Sequence, residues 1–274
     1  MTTAFTRTVL AVPASSERFL AKALNSPASA LMVDLEDGVA ETAKAAARIL
    51  FTGTAERLAD ARRGLWLRVN APTSPHLDAD LAMVEEVARH VDALVLPKAT
   101  PETVDVVAAR CDLPVVALIE TAEGVEKVWE TAARPAVRAL MFGELDYQAE
   151  LARSGGLHAD DTLWAQGRIV NAAAGAGIAS IAGPTAAVQD TRRLETDCSR
   201  QAALGFTGKL CIHPSQLDTV KSAFGPTPEM VAWARRVVDA VQEQPGDGAV
   251  TVDGAMVDRP VTDRARHILA ESDQ

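Results

Sequence analysis

Ala117-Leu-Ile-Glu-Thr121 and, further on, Leu140-Met-Phe-Gly-Glu-Leu-Asp146 are each a short apolar run that ends on a carboxylate. Runs of this length and composition read as buried strands, and a charged group at the open end of one is costly unless the site needs it. In a parallel α/β protein the carboxyl ends of the strands gather on one face. Glu120 and Asp146 are therefore expected to converge on one cation as hard oxygen ligands.

Working outward, similar runs recur between Ala-rich stretches of helical periodicity, the alternation expected of successive βα units. The strand candidates are Thr8–Val12, Leu31–Leu35, Leu65–Val69, Ala93–Leu96, Val115–Ile119, Ala139–Phe142, Ile178–Ile181 and Gly208–Ile212, eight in all. Eight such units within 274 residues predict an α/β chain closed into a (β/α)8 TIM barrel. An open doubly wound sheet is the rival, but it usually carries a Gly-rich phosphate loop after its first strand. Here the first strand runs into Val12-Pro-Ala-Ser-Ser16, with no such loop.

The barrel is expected to occupy residues 1–225. Thr227-Pro-Glu then reads as an N-cap with Pro at the first helical position, opening a helix to about Gln244, and Pro245-Gly-Asp-Gly248 breaks the chain. Ala249–Val252 and Ala255–Val257 flank Asp253-Gly254, the strongest hairpin signal in the sequence, and a last helix runs from about Pro260 to Ala270. Closure of a barrel does not require this hairpin and helix. Residues 226–274 are read as an appended arm that covers the mouth of its own barrel or a neighbour's.

Composition excludes several classes. A formal charge of −10 without clustered Lys and Arg argues against nucleic acid as a partner. No apolar run reaches membrane-spanning length, and Met1 to Arg7 lacks the blocks of a signal peptide, so a cytoplasmic location is expected. Aromatic residues make up only 4% of the chain, which leaves Ala, Val and Leu to fill the core. Cys111, Cys198 and Cys211 are isolated and are expected to be reduced packing residues; the five histidines show no ligand spacing.

The chemistry-bearing residues fall at strand ends: Asp34, Glu36 and Asp37 after the second strand, Arg68 and Asn70 after the third, Pro97 and Lys98 after the fourth, Glu120 after the fifth, Asp146 after the sixth. Several carboxylates and few histidines favour Mg²⁺, or Mn²⁺, over a softer ion. Two protein carboxylates leave about four octahedral positions, two of which a 2-oxo acid can fill. Arg68 is the natural partner for an oxygen anion developing on the reacting carbonyl, and its competing reading is an ion pair with Glu36 or Asp37. Gly143 allows close backbone approach, so the amides of Glu144 and Leu145 are candidates to bind a substrate carboxylate; a plain tight turn is the alternative.

In order along the chain, Arg7-Thr-Val-Leu-Ala-Val-Pro-Ala14 with Glu17-Arg-Phe19, Val33-Asp-Leu-Glu-Asp-Gly38 with Lys44 and Arg48, Leu67-Arg-Val-Asn70, Leu96-Pro-Lys98, Leu118-Ile-Glu-Thr121, Phe142-Gly-Glu-Leu-Asp146, Gly208-Lys-Leu-Cys-Ile-His-Pro-Ser-Gln216 and Gly254-Ala-Met-Val-Asp-Arg-Pro260 form a set that resembles the citrate lyase β-subunit-like (CitE-like) proteins of the HpcH/HpaI aldolase superfamily. The resemblance implies a Mg²⁺-dependent carbon–carbon lyase joining or parting a 2-oxo acid and an acyl thioester, usually of coenzyme A, such as malyl-CoA or citramalyl-CoA. Carried over, it implies Glu120 and Asp146 as metal ligands, Arg68 as substrate and oxyanion contact, and Glu36 and Asp37 as groups oriented towards metal-bound water. It implies Asp258, on an arm from a neighbouring subunit of a trimer or its multiple, as the group exchanging a proton with the thioester's α-carbon. Against this, Asp258 also reads as stabilising the start of the last helix. The first βα loop, with Ser15, Ser16, Arg18 and Lys22, would meet the coenzyme's phosphates, and His213 would shape the last barrel loop.

Two departures from the family pattern stand out. Many relatives carry an Asp after the seventh strand, where this chain has Ile181-Ala-Gly-Pro184, and Glu144 places a second acid beside Asp146. The alternatives are a pyruvate-forming aldolase acting on a free hydroxy-oxo acid, a citrate lyase β subunit acting on a carrier-protein thioester, and a lyase that also hydrolyses the thioester product.

Overall fold

Eight parallel strands pair in sequence order and close on themselves: β1 (Thr8–Pro13), β2 (Ala30–Asp34), β3 (Gly64–Arg68), β4 (Ala93–Leu96), β5 (Val115–Ile119), β6 (Val137–Phe142), β7 (Ala179–Ala182) and β8 (Gly208–Cys211), with helices in the connections. The last pairing, β1 with β8, joins Thr8 to Lys209 and Leu10 to Cys211. The protein is thus the expected (β/α)8 barrel, seen in a computed structural model that describes residues 6–60, 64–151, 162–244 and 249–272. Three expected strands run one residue past the observed carboxyl ends: at Leu35 and Val69 ladder bonding continues, with Leu35 N–H donating to Arg68 O at 2.9 Å and Val69 N–H to Val95 O at 3.3 Å, whereas Ile212 N–H donates to Gln216 Oε1 at 2.9 Å.

Alternation along each strand decides what fills the barrel. Val9, Met32, Trp66, Val95, Leu118, Met141, Ile181 and Leu210 form one buried cluster in its interior. Two residues further on, a strand presents the same face again. Met32 is followed by Asp34, Trp66 by Arg68, Leu118 by Glu120 and Met141 by Gly143. An apolar plug, each buried side chain of which contributes about 1.5–3 kcal/mol, therefore carries a charged layer at the carboxyl ends of the strands.

The turns above that layer are held from behind. The buried Lys44 ammonium donates to Leu35 O (3.0 Å), Glu36 O (3.1 Å) and Asn70 Oδ1 (2.7 Å), so each of its protons has an acceptor. Asn70 in turn donates from its backbone and its amide to Asp80 Oδ2, both at 2.7 Å, while Arg48 Nη1 donates to Asp80 Oδ1 at 2.9 Å. Asp80 is fully buried in the helix Leu77–Val87, and its helix thereby pins the loops that follow β2 and β3.

The chain divides into two compact units, Met1–Val220 and Lys221–Gln274. In the second, Thr227 caps the helix Pro228–Glu243 by accepting from Met230 N at 3.2 Å. Strands β9 (Val250–Val252) and β10 (Ala255–Val257) form an antiparallel hairpin whose turn residues Asp253 and Gly254 both have positive φ, 51° and 79°, as a two-residue turn with right-handed strand twist requires. The helix Arg259–Ser272 follows, and Ala234, Val237, Val250, Val252, Val257, Ala265 and Ile268 make this unit's own core. The Pro245–Gly248 break and residues 1–5 of the amino-terminal stretch lie outside the described residues. Cys111, Cys198 and Cys211 are free thiols, and no helix among the described residues is long and apolar enough to cross a membrane.

Replacing Asp80 leaves Arg48 and two Asn70 donors without their acceptor. Asp80→Ala is expected to destabilise the barrel by about 3 kcal/mol, lowering the melting temperature by roughly 6–12 °C in a calorimetric scan.

Candidate active site

Arg68 is gripped before any ligand arrives. Its Nε donates to Asp34 Oδ1 at 2.7 Å and its Nη2 to Asp34 Oδ2 at 2.6 Å, a two-bond fork. The same two oxygens accept Glu36 N and Gly38 N, each at 2.8 Å. A Cβ on Gly38 would collide with Asp34 Oδ2, so only glycine lets the turn close here. Arg68 Nη1 faces Glu36 Oε2 at 3.0 Å and Asp37 Oδ2 at 4.0 Å. Burial works against the guanidinium's charge, but the hydrogen bonds and charge of Asp34, then Glu36, hold its pKa above the ordinary arginine value. The ion pairs expected with Glu36 and Asp37 are present; the dominant partner is Asp34, to which the sequence assigned no task.

Glu120 is 2% exposed at the end of β5. Its Oε1 accepts the backbone N–H of Lys98 at 2.9 Å, and the Lys98 ammonium lies 3.7 Å away, 3.4 Å from Glu36 Oε1. Lys98 reaches both acids from a left-handed backbone, φ 49°, which is uncommon for a side chain with a Cβ. Burial, then the charge of Glu36, pushes the Glu120 carboxyl up to about 8 in spite of Lys98, with Asp146 adding to the effect. Burial raises the Glu36 carboxyl as well, partly offset by Arg68.

Asp146 stands in the first turn of the helix Glu144–Leu151, where a carboxylate is favoured by the helix dipole, and it is exposed. Gly143 precedes that helix, its N–H continuing the ladder to Ile119 O at 2.9 Å. A Cβ on Gly143 would collide with the Glu120 side chain and stand 2.6 Å from Oε2, so glycine is what allows β5 and β6 to bring their ends together. The amides of Glu144 and Leu145 belong to the first turn, where no intrahelical acceptor is available.

Asp34, Arg68, Glu120, Gly143, Leu145 and Asp146 all line one cavity of about 400 Å³ at the carboxyl end of the barrel. Glu144 stands in the wall that this cavity shares with a second one of about 350 Å³. Glu144 Oε1 accepts from Thr162 Oγ1 at 2.6 Å and from Gln166 Nε2 at 3.4 Å. A side chain on Gly183 would stand 2.8 Å from Phe142 O and 3.4 Å from Glu144 Cβ, so the loop after β7 has no room for one at this residue. Among the described residues, no three His, Cys, Asp or Glu side chains gather into a metal cluster.

The other residues singled out in the sequence have these local surroundings. Ser16 caps the helix Glu17–Ala23 by accepting from Phe19 N at 3.3 Å, while Arg18 and Lys22 are exposed on that helix. Asp258, in the second unit, accepts from Val261 N at 3.3 Å and so caps the last helix. His213 is exposed and accepts from Ser215 N at 3.2 Å, shaping the turn after β8.

Residues 7–214 match the family described as HpcH/HpaI aldolase/citrate lyase. The chain is 34% identical over 274 residues to a (3S)-malyl-CoA thioesterase of Cereibacter sphaeroides, covering 97% of this chain and 94% of that one. It is 30% identical over 286 residues to the mitochondrial citramalyl-CoA lyase of Rattus norvegicus, covering 96% and 85%. Among solved structures, the CitE protein of Mycobacterium tuberculosis in complex with magnesium, acetoacetate and coenzyme A superposes with a TM-score of 0.82 at 33% identity, over 99% of this chain and 100% of that one. On its sequence and on its fold, the chain belongs to the HpcH/HpaI aldolase/citrate lyase family.

Proposed function

We propose that the protein is a magnesium-dependent carbon–carbon lyase that cleaves a β-hydroxyacyl-CoA, such as malyl-CoA or citramalyl-CoA, into a 2-oxo acid and acetyl-CoA, and forms it in reverse. The observation that carries this reading is the meeting of Arg68, Glu120 and Asp146 on one cavity. The relatives named for malyl-CoA and citramalyl-CoA chemistry, and the CitE complex with magnesium and coenzyme A, support it.

The donor set fits a small hard cation. The cavity offers carboxylates and no thiol or imidazole, and Glu36 Oε2 is buried without a hydrogen bond among the described residues, since its 3.0 Å approach to Arg68 Nη1 lacks hydrogen-bond geometry. Glu120 and Asp146 would hold the ion, with Glu36 and Asp37 oriented towards waters of its shell; Mn²⁺ would serve as Mg²⁺ does. When bound, it supplies Lewis-acid polarisation of the oxo acid's carbonyl.

The remaining work falls to the chain. Asp34 holds the guanidinium by two nitrogens, which leaves Arg68 Nη1 to steady the oxygen of the forming ketone. The amides of Glu144 and Leu145 take the carboxylate of the oxo acid, and Gly143 lets it come close. In cleavage the hydroxyl passes its proton to water held by Glu36 and Asp37, the carbon–carbon electron pair stays with the acyl-CoA as an enolate, and the α-carbon takes a proton from protonated Asp258, which solvent then reprotonates, so no net proton is consumed. Arg18 and Lys22 meet the phosphates of coenzyme A. Asp258 reaches the site from a neighbouring subunit of a trimer or its multiple, with residues 226–274 serving as the covering arm. Three free cysteines suit a cytoplasmic location. Because one relative is named a thioesterase, hydrolysis of the thioester is the second reading.

Three outcomes follow. Cleavage of malyl-CoA or citramalyl-CoA should fall to background with EDTA and return with Mg²⁺; undiminished turnover in EDTA would refute the scheme. The second concerns protons. Glu120 keeps its proton between its ordinary 4.5 and about 8 in the folded, metal-free protein, whereas the unfolded chain loses it near 4.5. The native state therefore binds more protons in that window, and metal-free stability should fall as pH rises from about 4.5 to about 8. Mg²⁺ must displace this proton, so its affinity should rise by up to about tenfold per pH unit between roughly pH 6 and 8 and then level off. Calorimetric titrations across that range check it, with Glu120→Gln losing both the binding and most of the slope. Third, mixing Asp258→Asn with Asp146→Asn chains should restore part of the activity that each lacks alone, read as turnover after subunit exchange.

A further inference from the structure

We infer that the second cavity, of about 350 Å³, is a binding site for a small zwitterion, an α-amino acid with a short apolar side chain. Such a site goes beyond the lyase reading and does not depend on it.

The cavity lies where the helices Glu144–Leu151, Leu163–Ala176 and Thr191–Leu204 meet the loop after β7. Two of its wall residues are buried amides with unspent hydrogen-bonding capacity. Gln166 is 3% exposed, and its Nε2 donates to Thr162 Oγ1 at 2.8 Å and to Glu144 Oε1 at 3.4 Å, while its Oε1 has no hydrogen-bond partner. Gln201 is 5% exposed; its Oε1 accepts from the Lys209 ammonium at 2.7 Å, which leaves its Nε2 to the cavity. A protein interior seldom leaves such groups unmatched, so the two amides mark a place prepared for a molecule that both donates and accepts.

Charge narrows the class. Among the described residues that line the cavity, Glu144, Asp190 and Asp197 are acidic, and Arg193 and Arg200 are basic. The buried Lys209 ammonium, which also donates to Gly183 O at 2.6 Å, adds a third positive charge next to the wall. With the two signs balanced, a free anion or a free cation gains little, whereas a molecule that carries both charges is matched at each end. Asp197 is already spent, because its Oδ1 accepts from Arg193 Nε at 2.9 Å and its Oδ2 from Thr185 Oγ1 at 2.8 Å. That pairing steadies Arg193 and leaves its two Nη groups, a fork suited to a carboxylate. At the other end, an α-ammonium group supplies the donor that Gln166 Oε1 lacks and faces the Glu144 carboxylate. Leu145, Pro184, Ala186 and Ala187 complete the wall with an apolar surface for a methyl-sized side chain.

The test is calorimetric titration of the full chain in EDTA, which keeps an ion out of the neighbouring cavity. L-Alanine should bind saturably, at least about tenfold more tightly than propionate, which lacks the ammonium, or ethylamine, which lacks the carboxylate, since a hydrogen-bonded charge at either end weighs about that much. Arg193→Gln, at a half-exposed side chain, should weaken alanine binding by about tenfold without shifting the melting transition of the ligand-free protein. Asp146→Asn, in the cavity of the proposed metal, should leave alanine binding as it is. Absence of saturable alanine binding, equal affinity for the three probes, an unchanged affinity in Arg193→Gln or a loss of binding in Asp146→Asn overturns the inference.

Discussion

The two-bond fork between Asp34 and Arg68 is the constraint on which the rest of the site depends. A guanidinium 13% exposed inside a barrel is tolerable only if a carboxylate meets it with good geometry. Asp34 does so while accepting two backbone N–H groups, from Glu36 and Gly38, so one side chain both neutralises the arginine and folds the turn after β2. That turn places Glu36 over the plug, and Lys44 and Asn70 fasten it from behind. Removing Asp34 would take the two-bond partner from a buried guanidinium and release the loop as well, whereas removing Arg68 would leave the buried Asp34 without its counter-charge.

Around this fork the protein maintains an unfavourable concentration of like charge. Glu36 is buried close enough to raise the Glu120 carboxyl beyond what burial alone does, and one flexible ammonium, Lys98, is shared between them at 3.4 and 3.7 Å. Such clustering lowers stability, and it persists because the plug beneath and the Asp80 network behind supply enough favourable burial and bonding. A cavity with this imbalance attracts a divalent cation more strongly than any lone pair of surface acids could.

Much of this was legible in the sequence, for a definite reason. Strand runs that end on Glu120 and near Asp146 announce themselves by period and length, and the barrel follows from counting them. Asp34 was harder: it sits in the triplet Asp34, Glu36 and Asp37, and only the alternation from Met32 identifies it as the inward member. Lys98 was named as a strand end, but nothing in a sequence marks a lysine for φ 49°. The partners of Glu144 lie 18 and 22 residues further along, on a helix whose rotation no local pattern specifies.

Glu144 and Gly183 also explain one another. The loop after β7 runs Ile181-Ala-Gly-Pro184 without an acid, and Glu144 stands at the start of the helix after β6. The link is steric, because the Glu144 Cβ and Phe142 O occupy the volume that a side chain at 183 would need. With Glu144 in that place, its carboxylate is anchored by Thr162 and Gln166, which are themselves joined at 2.8 Å. A glycine and a buried polar contact thus fix the packing of the barrel mouth together, and the loops at that mouth are where one scaffold comes to serve different substrates.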